Sequence, residues 1–195
     1  MYTELNILLV SEDKKREALV SEALKEANYE VFSSLRTTDD LLHAVEVSHP
    51  DVIVIDLKTP DHQYIGKVKS INQKKPTPIV MFVEFSGGPG TIESVVKSGV
   101  HAYIVDGFES NRLQPIIETA MVRFNEYQTL KKELVETKAV LEERKKIETA
   151  KGLLMEKHQL NEQDAFQTIR KMAMDQNKKM GDVAENIIAM FKFIK

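Results

Sequence analysis

The 195-residue sequence contains no cysteine, which excludes disulfides, thiolate zinc sites, iron–sulfur clusters and a cysteine nucleophile. Its longest apolar runs have four or five residues, far short of the roughly 20 that a membrane-spanning helix needs. The N-terminus lacks a basic segment followed by a long apolar core, so no signal peptide is predicted. The five histidines are dispersed, and no spacing indicates a metal site or a catalytic triad. These absences predict a cytoplasmic protein that has no cofactor, does not enter a membrane and is not an enzyme.

Charge is distributed unevenly along the chain, although the formal net charge is only −3. Residues 1–129 carry 13 basic and 19 acidic side chains, a balance of −6, whereas residues 130–195 carry 14 and 11, a balance of +3. This asymmetry favours two parts with different functions. A balance of +3 is weak evidence for nucleic acid by itself, because scattered Lys and Glu are also typical of a solvated helix surface.

The first 110 residues alternate short β-rich runs with amphipathic helical stretches, a pattern typical of an open parallel sheet with helices on both faces. The third and fourth runs are continuously apolar, as central strands buried on both faces should be. The predicted strands are 6–10, 30–33, 52–56, 78–83 and 102–105, and the predicted helices are about 13–28, 38–48, 62–73 and 90–98. The sequence therefore predicts an α/β domain with a flavodoxin-like (βα)5 fold.

A long helix is predicted over about residues 111–157, where the only helix breakers are Pro115 and Gly152. Polar residues fill several intermediate positions of its apolar seam. A single helix that packs back on the sheet domain therefore remains an alternative to a coiled coil. The spacing of seven residues between apolar positions favours a coiled coil and hence a homodimer. These positions are Leu113, Ala120, Tyr127, Leu134 and Leu141.

The last 50 residues predict an all-α unit of three helices, counting the end of the long helix. Asn161 is a predicted N-cap, with Asp164 three positions later, and it opens a helix that runs to about Asp175. Gly181 and Asp182 are predicted to precede the final helix. The predicted core of this unit consists of Ile147, Leu154, Leu160, Phe166, Ile169 and Ile187.

Acidic residues follow two of the predicted strands in the first domain. Glu12 and Asp13 come after the first strand, and Asp56 ends the third. The carboxyl ends of parallel strands meet in one crevice, where clustered carboxylates suit Mg²⁺. The arrangement resembles the receiver domain of bacterial response regulators, in which two acids hold Mg²⁺ and the Asp of the third strand is phosphorylated. That resemblance would make Glu12 and Asp13 the metal ligands and Asp56 the phosphoacceptor.

Three positions depart from the receiver pattern. The first acidic position is Ser11, the hydroxyl position after the fourth strand is Val83, and the lysine position after the fifth strand is Asp106. Since Asp106 adds negative charge where a cation would stabilise a phosphoryl group, a second anion there is disfavoured. We therefore interpret Asp56 as a vestigial phosphoacceptor, predict no resident metal, and expect the domain to act as a docking surface. A carboxylate that merely caps a loop is the alternative for Asp56.

The most specific segment runs from Arg144 to Met155 as Arg-Lys-Lys-Ile-Glu-Thr-Ala-Lys-Gly-Leu-Leu-Met, and continues through 161–174 and 182–184. It resembles the ANTAR domain, the RNA-binding antiterminator module of the AmiR/NasT family, over about residues 140–193. The sheet domain is similar to that of NasT-type regulators of nitrate and nitrite assimilation, so the resemblance covers nearly the whole chain. The residues that match the family's motif, and that we assign to the motif and its core, are Ala150, Met155, Ala165, Ala173, Met174 and Ala184.

Cationic residues of this segment are candidate RNA contacts, because affinity for nucleic acid depends mainly on neutralised phosphates. Gly152 costs about 1 kcal/mol in a helix interior relative to Ala, so it needs a reason, either a helix crossing or close approach of an RNA backbone. The deep, narrow major groove of A-form RNA excludes a helix, which makes hairpin loops the expected target. The candidate RNA-binding residues are Arg144, Lys145, Lys151, Gly152, Arg170 and Lys171.

The resemblance implies an RNA-binding transcription antiterminator. Such a protein would bind paired stem-loops in leader mRNA and prevent terminator formation, here for nitrate or nitrite assimilation genes. A nitrate-sensing protein similar to NasS would control it in place of phosphorylation. The implied domains are a pseudo-receiver over 1–110, a coiled-coil helix over 111–143 and the ANTAR unit over 144–195. The alternatives are a phosphorylation-dependent response regulator that uses Asp56, and a coiled-coil adaptor that binds no nucleic acid.

Overall fold

The computed structural model describes residues 5–12, 14–37, 39–106 and 109–193, with side chains up to residue 191. Asp13, which the receiver resemblance would make a metal ligand together with Glu12, lies outside the described residues. Packing divides the chain into two units, Met1–Gln128 and Thr129–Lys195. Each unit has its own hydrophobic core.

Five strands form the sheet of the first unit: β1 (Asn6–Ser11), β2 (Glu30–Arg36), β3 (Val52–Leu57), β4 (Ile79–Val83) and β5 (Ala102–Val105). All neighbouring pairs are parallel, and the strand order is β2-β1-β3-β4-β5. Every residue of β3 and β4 is buried, as their continuously apolar sequences predict. The predicted flavodoxin-like (βα)5 fold is confirmed.

Helices cover both faces of this sheet: α1 (Lys14–Glu26), α2 (Leu41–Ser48), α3 (His62–Lys74), α4 (Thr91–Ser98) and the first turns of α5 (Ser110–His158). One core lies between the sheet and α2, α3 and α4, and the other between the sheet, α1 and α5. Because successive residues of a strand point to opposite faces, Leu8 and Ile53 enter the first core, and Ile7 and Val54 enter the second.

Strand β2 is three residues longer than the sequence predicts. Ser33 and Ser34 do not end it, because each pairs with a residue of β1 and the strand continues to Arg36. Its side chains alternate between exposed and half-buried, and it pairs only with β1 at the edge of the sheet. An edge strand tolerates polar residues that a central strand would exclude.

The second unit consists of the C-terminal part of α5, α6 (Glu162–Asp175) and α7 (Met180–Phe193). The predicted N-cap is confirmed, since the Asn161 side chain accepts a hydrogen bond from the Asp164 N–H at 2.8 Å. The predicted start of the last helix is wrong, because Gly181 lies inside the first turn of α7. A Cβ at Gly181 would lie 2.8 Å from the Cγ of Glu143, so glycine permits close approach of α7 to α5.

The core of the second unit is built largely from small and branched residues. Buried members are Ala150, Leu154, Ala165, Ile169, Ala173, Val183, Ala184 and Ile187. The four motif alanines therefore pack between helices, as expected. The sequence also predicts Phe166, Met155 and Met174 in this core, and the structure contradicts that prediction, because each is exposed to solvent. The small alanines already close the space between the helices, so the larger side chains lie outside it.

Candidate functional site

Asp56 lies near the carboxyl end of β3 and is completely buried. Arg16 in the first turn of α1 donates from Nε to Oδ2 of Asp56 at 2.6 Å, and from Nη2 to Oδ1 at 2.5 Å. The same guanidinium also forms an ion pair with Glu84. Two parallel bonds of this kind match the planar fork of arginine to a carboxylate. The buried negative charge of Asp56 is therefore neutralised by a side chain of the same domain.

The position of Arg16 follows from the topology of the sheet. Strand β1 pairs with β3 so that Ser11 lies opposite Asp56, and α1 begins only three residues after Ser11. This short connection brings the first turn of α1 to the end of β3. Arg16 is not among the residues predicted from sequence, although a signal existed. A buried carboxylate needs a cation, and the receiver lysine position holds Asp106.

Glu12 does not face a metal site in this arrangement. Its carboxylate accepts a hydrogen bond from the backbone N–H of Lys58 at 3.0 Å, so it caps the loop after β3. Both oxygens of Asp56 are engaged by Arg16. Within the described part of the chain, no three acidic or histidine side chains converge as metal ligands would. These residues do not fit the Mg²⁺ of a typical receiver domain.

The two other receiver positions also lack their usual chemistry. Val83 is fully buried at the end of β4 and has no hydroxyl. Asp106 is exposed after β5, with a backbone φ of 75° in the left-handed region that Asp tolerates better than most residues. Neither side chain can donate a hydrogen bond as a hydroxyl does or supply positive charge as a lysine does. The crevice is thus arranged around an internal ion pair.

In the second unit, the structure places Lys151 differently from a surface RNA contact. Its side chain is 9% exposed, and Nζ lies 2.9 Å from Glu148 and 2.8 Å from Glu162. The hydrogen bond with Glu162 raises the pKa of Lys151, and the same bond lowers the pKa of Glu162. Since Glu162 begins α6, this cation ties α5 to α6. Direct contact with RNA would require the ammonium to leave two carboxylates.

The remaining candidate cations are on the surface. Arg144 on α5 and Arg170 and Lys171 on α6 are exposed, and none of them forms an ion pair within the residues that the structure describes. Lys145 is also exposed and pairs with Glu142 at 2.9 Å. A surface ion pair of this type contributes little and exchanges readily. These four residues can therefore meet a phosphate without unfolding any local structure.

Gly152 lies in the interior of α5 and is exposed. A Cβ built at this position would meet no atom within 4 Å apart from its own helix and chain neighbours. A helix crossing, one of the two reasons predicted for this glycine, is therefore excluded within the described residues. Its cost in helix stability is therefore not offset by side-chain packing within the described residues.

Comparison with known proteins identifies the family. Residues 7–118 match the response regulator receiver domain, and residues 136–188 match the ANTAR domain. The chain belongs to the response regulators that carry an ANTAR domain, a regulatory family. The transcriptional regulatory protein PdtaR of Mycobacterium tuberculosis is 35% identical to it over 185 residues, which cover 93% of this chain and 88% of that protein.

A second relative is similar over a shorter region. The nitrate regulatory protein of Klebsiella oxytoca is 42% identical over 66 residues, which cover 34% of this chain and 17% of that protein. Similarity to a nitrate regulator is thus found over a third of the chain, so the predicted closeness to the NasT type is supported only in part. None of the helices in the described regions is both long and apolar enough to cross a bilayer.

Solved structures confirm the receiver fold of the first unit. The receiver domain of a modulated diguanylate cyclase from Desulfovibrio desulfuricans G20 gives a TM-score of 0.55 at 14% identity, covering 63% of this chain and 98% of that one. A CheY-like receiver protein from Methanospirillum hungatei JF-1 also gives 0.55, at 17% identity, covering 64% and 99%. These similarities concern the fold alone.

Proposed function

We propose that this protein is a cytoplasmic RNA-binding transcription antiterminator, which binds paired stem-loops in leader mRNA and prevents the terminator hairpin from forming. The observation that carries the proposal is the surface of the ANTAR domain. Arg144, Arg170 and Lys171 are exposed there, and the described residues place no carboxylate against them. Cations left free in this way are suited to phosphates, whose neutralisation dominates affinity for nucleic acid.

The six predicted interface residues take three different roles in this proposal. Arg144, Lys145, Arg170 and Lys171 neutralise phosphates. Gly152 lets an RNA backbone approach α5, because any side chain would fill the open space beside it. Lys151, which is buried and binds two glutamates, positions α6 relative to α5 and affects RNA binding only through that arrangement.

We further propose that the receiver domain is controlled by a bound protein and not by phosphorylation. Support comes from Arg16, which engages both oxygens of Asp56 and leaves neither free to attack a phosphoryl donor. The partner that we propose is a nitrate-sensing protein similar to NasS, and the target genes are those of nitrate or nitrite assimilation. The name of the Klebsiella oxytoca relative supports this assignment over the shared region.

The protein is also proposed to be a homodimer through α5. Leu130, Leu134 and Leu141 are all more than half exposed, at spacings of four and seven residues along the helix. Such a row of exposed leucines is stabilised by a second copy of the same helix. Sedimentation of the wild type and of Leu134→Lys tests the proposal, because the substitution should dissociate the dimer. A wild type that is monomeric at micromolar concentration would contradict it.

Selection from a randomised RNA pool tests binding and identifies the preferred loop sequence in one experiment. The full-length protein would be offered RNAs with two fixed stems and randomised loops, and enriched sequences would be titrated by fluorescence anisotropy. We expect enriched RNAs to bind more tightly than a DNA duplex of matched length. The double variant Arg170→Ala/Lys171→Ala should weaken binding and reduce the slope of affinity against salt by about 1 to 2.

A matched control comes from Lys131 and Lys132, which are exposed on α5 outside residues 136–188. Their double alanine variant removes the same charge and should leave RNA affinity nearly unchanged. If no loop sequence is enriched over duplex DNA, the antiterminator proposal fails and the coiled-coil adaptor gains support. If both double variants weaken binding equally, binding is nonspecific and the assigned surface is wrong.

A further inference from the structure

Three exposed side chains follow one face of α6: Phe166, Arg170 and Met174, which we call the α6 stripe. Phe166 is 38% exposed and Met174 is 72% exposed, although the sequence predicts both in the core. Residues four positions apart lie on the same side of a helix, about 6 Å apart along its axis. The stripe therefore presents an aromatic ring, a guanidinium and a flexible thioether side by side.

Phe166 differs from the other phenylalanine of the second unit whose side chain is described. Phe191 packs against the core and contacts His158 edge-on, with the ring centroids 5.8 Å apart. Phe166 makes no such ring contact among the described side chains, and 38% of its surface is exposed to solvent. Burying the remaining exposed surface of a phenylalanine lowers the free energy. A partly exposed ring is therefore available to a ligand with a flat apolar face.

The charges around the stripe indicate what that ligand is. Glu162 is paired with Lys151, and Asp164 belongs to the N-cap at Asn161, so both acids near the start of α6 are engaged. Apart from the stripe itself, the exposed positions from 165 to 174 hold a glutamine and a lysine, and a second glutamine precedes Asp164. The next exposed carboxylate along the helix is Asp175, its last residue. A surface with aromatic, amide and cationic groups suits a ligand that is anionic and also has a flat π-face. Unpaired nucleotides combine both properties.

We propose that the α6 stripe is a stacking site for an unpaired base of an RNA hairpin loop. The base lies on the ring of Phe166, Arg170 binds the adjoining phosphate, and Met174 covers the edge of the base. Gln163 and Gln167 flank the ring, and each side-chain amide carries both donors and an acceptor for a base edge. This inference rests on the proposed function and adds recognition of a base to neutralisation of phosphates.

The test compares two RNA probes that differ only in the loop. One is an enriched two-hairpin RNA, and the other carries abasic residues in place of the unpaired loop bases. We expect Phe166→Ala to bind the first probe roughly tenfold more weakly than wild type, a change of about 1.4 kcal/mol, with an unchanged salt slope. On the abasic probe, the variant and wild type should bind equally, because no base is left to stack.

Two further variants separate stacking from folding. Phe166→Trp keeps a flat ring and should retain most of the affinity, while Met190→Ala removes another exposed apolar side chain, on α7, and should have no effect. Helix content from circular dichroism identifies any variant that fails to fold, in which case the tryptophan variant still tests the site through quenching of its fluorescence by RNA.

The outcomes distinguish this inference from the proposed function. Equal loss of affinity on both probes, or wild-type affinity in Phe166→Ala, overturns the stacking site while RNA binding stands. A tryptophan at this position that RNA does not quench also overturns it. Failure of the wild-type protein to bind either probe overturns the proposed function itself, and the stacking site with it.

Discussion

Removal of Arg16 should destabilise the receiver domain strongly, because it would leave a buried charge without a partner. Asp56 is completely buried, and its carboxylate receives two hydrogen bonds from the guanidinium. Breaking a buried ion pair from one side costs about 3–5 kcal/mol. Two hydrogen bonds to a charged group, at about 1.5–3 kcal/mol each, give a similar range. We expect Arg16→Ala to lower the free energy of unfolding of the first unit by about 3–5 kcal/mol.

Tyrosine fluorescence during urea unfolding measures this change in the correct unit. All five tyrosines lie at or before position 127, so their emission reports on the first unit. Arg112→Ala is the matched control, because Arg112 is well exposed and lies 3.7 Å from Glu109. An exposed pair of that kind contributes at most about 1 kcal/mol. If Arg16→Ala does not fold, Arg16→Lys is the substitute, because lysine keeps the positive charge but lacks the planar fork of the guanidinium. Its free energy of unfolding should lie between those of wild type and Arg16→Ala.

A double-mutant cycle decides whether Arg16 acts through Asp56. In Arg16→Met/Asp56→Asn both charges are absent, so no buried charge is left unpaired. The double variant should therefore be more stable than the sum of the two single changes predicts, with a coupling energy of about 2 kcal/mol or more. Additive effects, or a cost for Arg16→Ala no greater than that for Arg112→Ala, would refute the conclusion that this arginine neutralises Asp56 in solution.

Three further predictions concern phosphorylation, the helix glycine and pH. Acetyl phosphate with Mg²⁺ should not label the protein, whereas a label that is lost in Asp56→Asn would support the phosphorylation-dependent alternative. Gly152→Ala should raise the stability of the second unit by up to about 1 kcal/mol in thermal melting and also weaken RNA binding, and unchanged affinity would exclude backbone approach there. The pKa of Glu162 is lowered by its bond with Lys151, so its contribution to stability is present above the ordinary value of 4.5 and is lost as pH falls through the lowered value. Melting followed by circular dichroism from pH 7 to pH 3 should show a loss of stability that is smaller in Glu162→Gln than in the wild type.

The sheet could be predicted from sequence because the local pattern of apolar residues identifies each strand independently of the others. Strands β3 and β4 are apolar at every buried position except Asp56, and the helices between strands have apolar residues at helical spacing. The family was also identified correctly, since the ANTAR motif spreads over many separated positions. The prediction for strand β2 is too short because Ser33 and Ser34 resemble the end of a strand when their pairing with β1 is not known.

The pairing of charges could not be predicted in the same way. The sequence indicates that a buried Asp56 needs a cation, but Arg16 lies 40 residues away, and nothing in its local sequence identifies it as that cation. Lys151 shows the opposite error, since a lysine in a basic motif is predicted at the surface although Glu148 and Glu162 surround it. Solvent exposure and charge partners depend on tertiary packing, whereas strand and helix formation depends mainly on local patterns.

The two units differ in whether their key cations are paired with carboxylates, and this difference supports a division of function between them. In the receiver domain, Arg16 binds both carboxylate oxygens of Asp56, the residue at the usual phosphorylation position of the fold. In the ANTAR domain, one lysine is used internally to hold α6, and the cations of α6 itself remain available to a ligand. Under the proposed function, the signal would reach this regulator by a route other than phosphorylation of Asp56. The partner proposed above would supply such a route by binding the receiver domain, because its binding requires no change in the charge of Asp56.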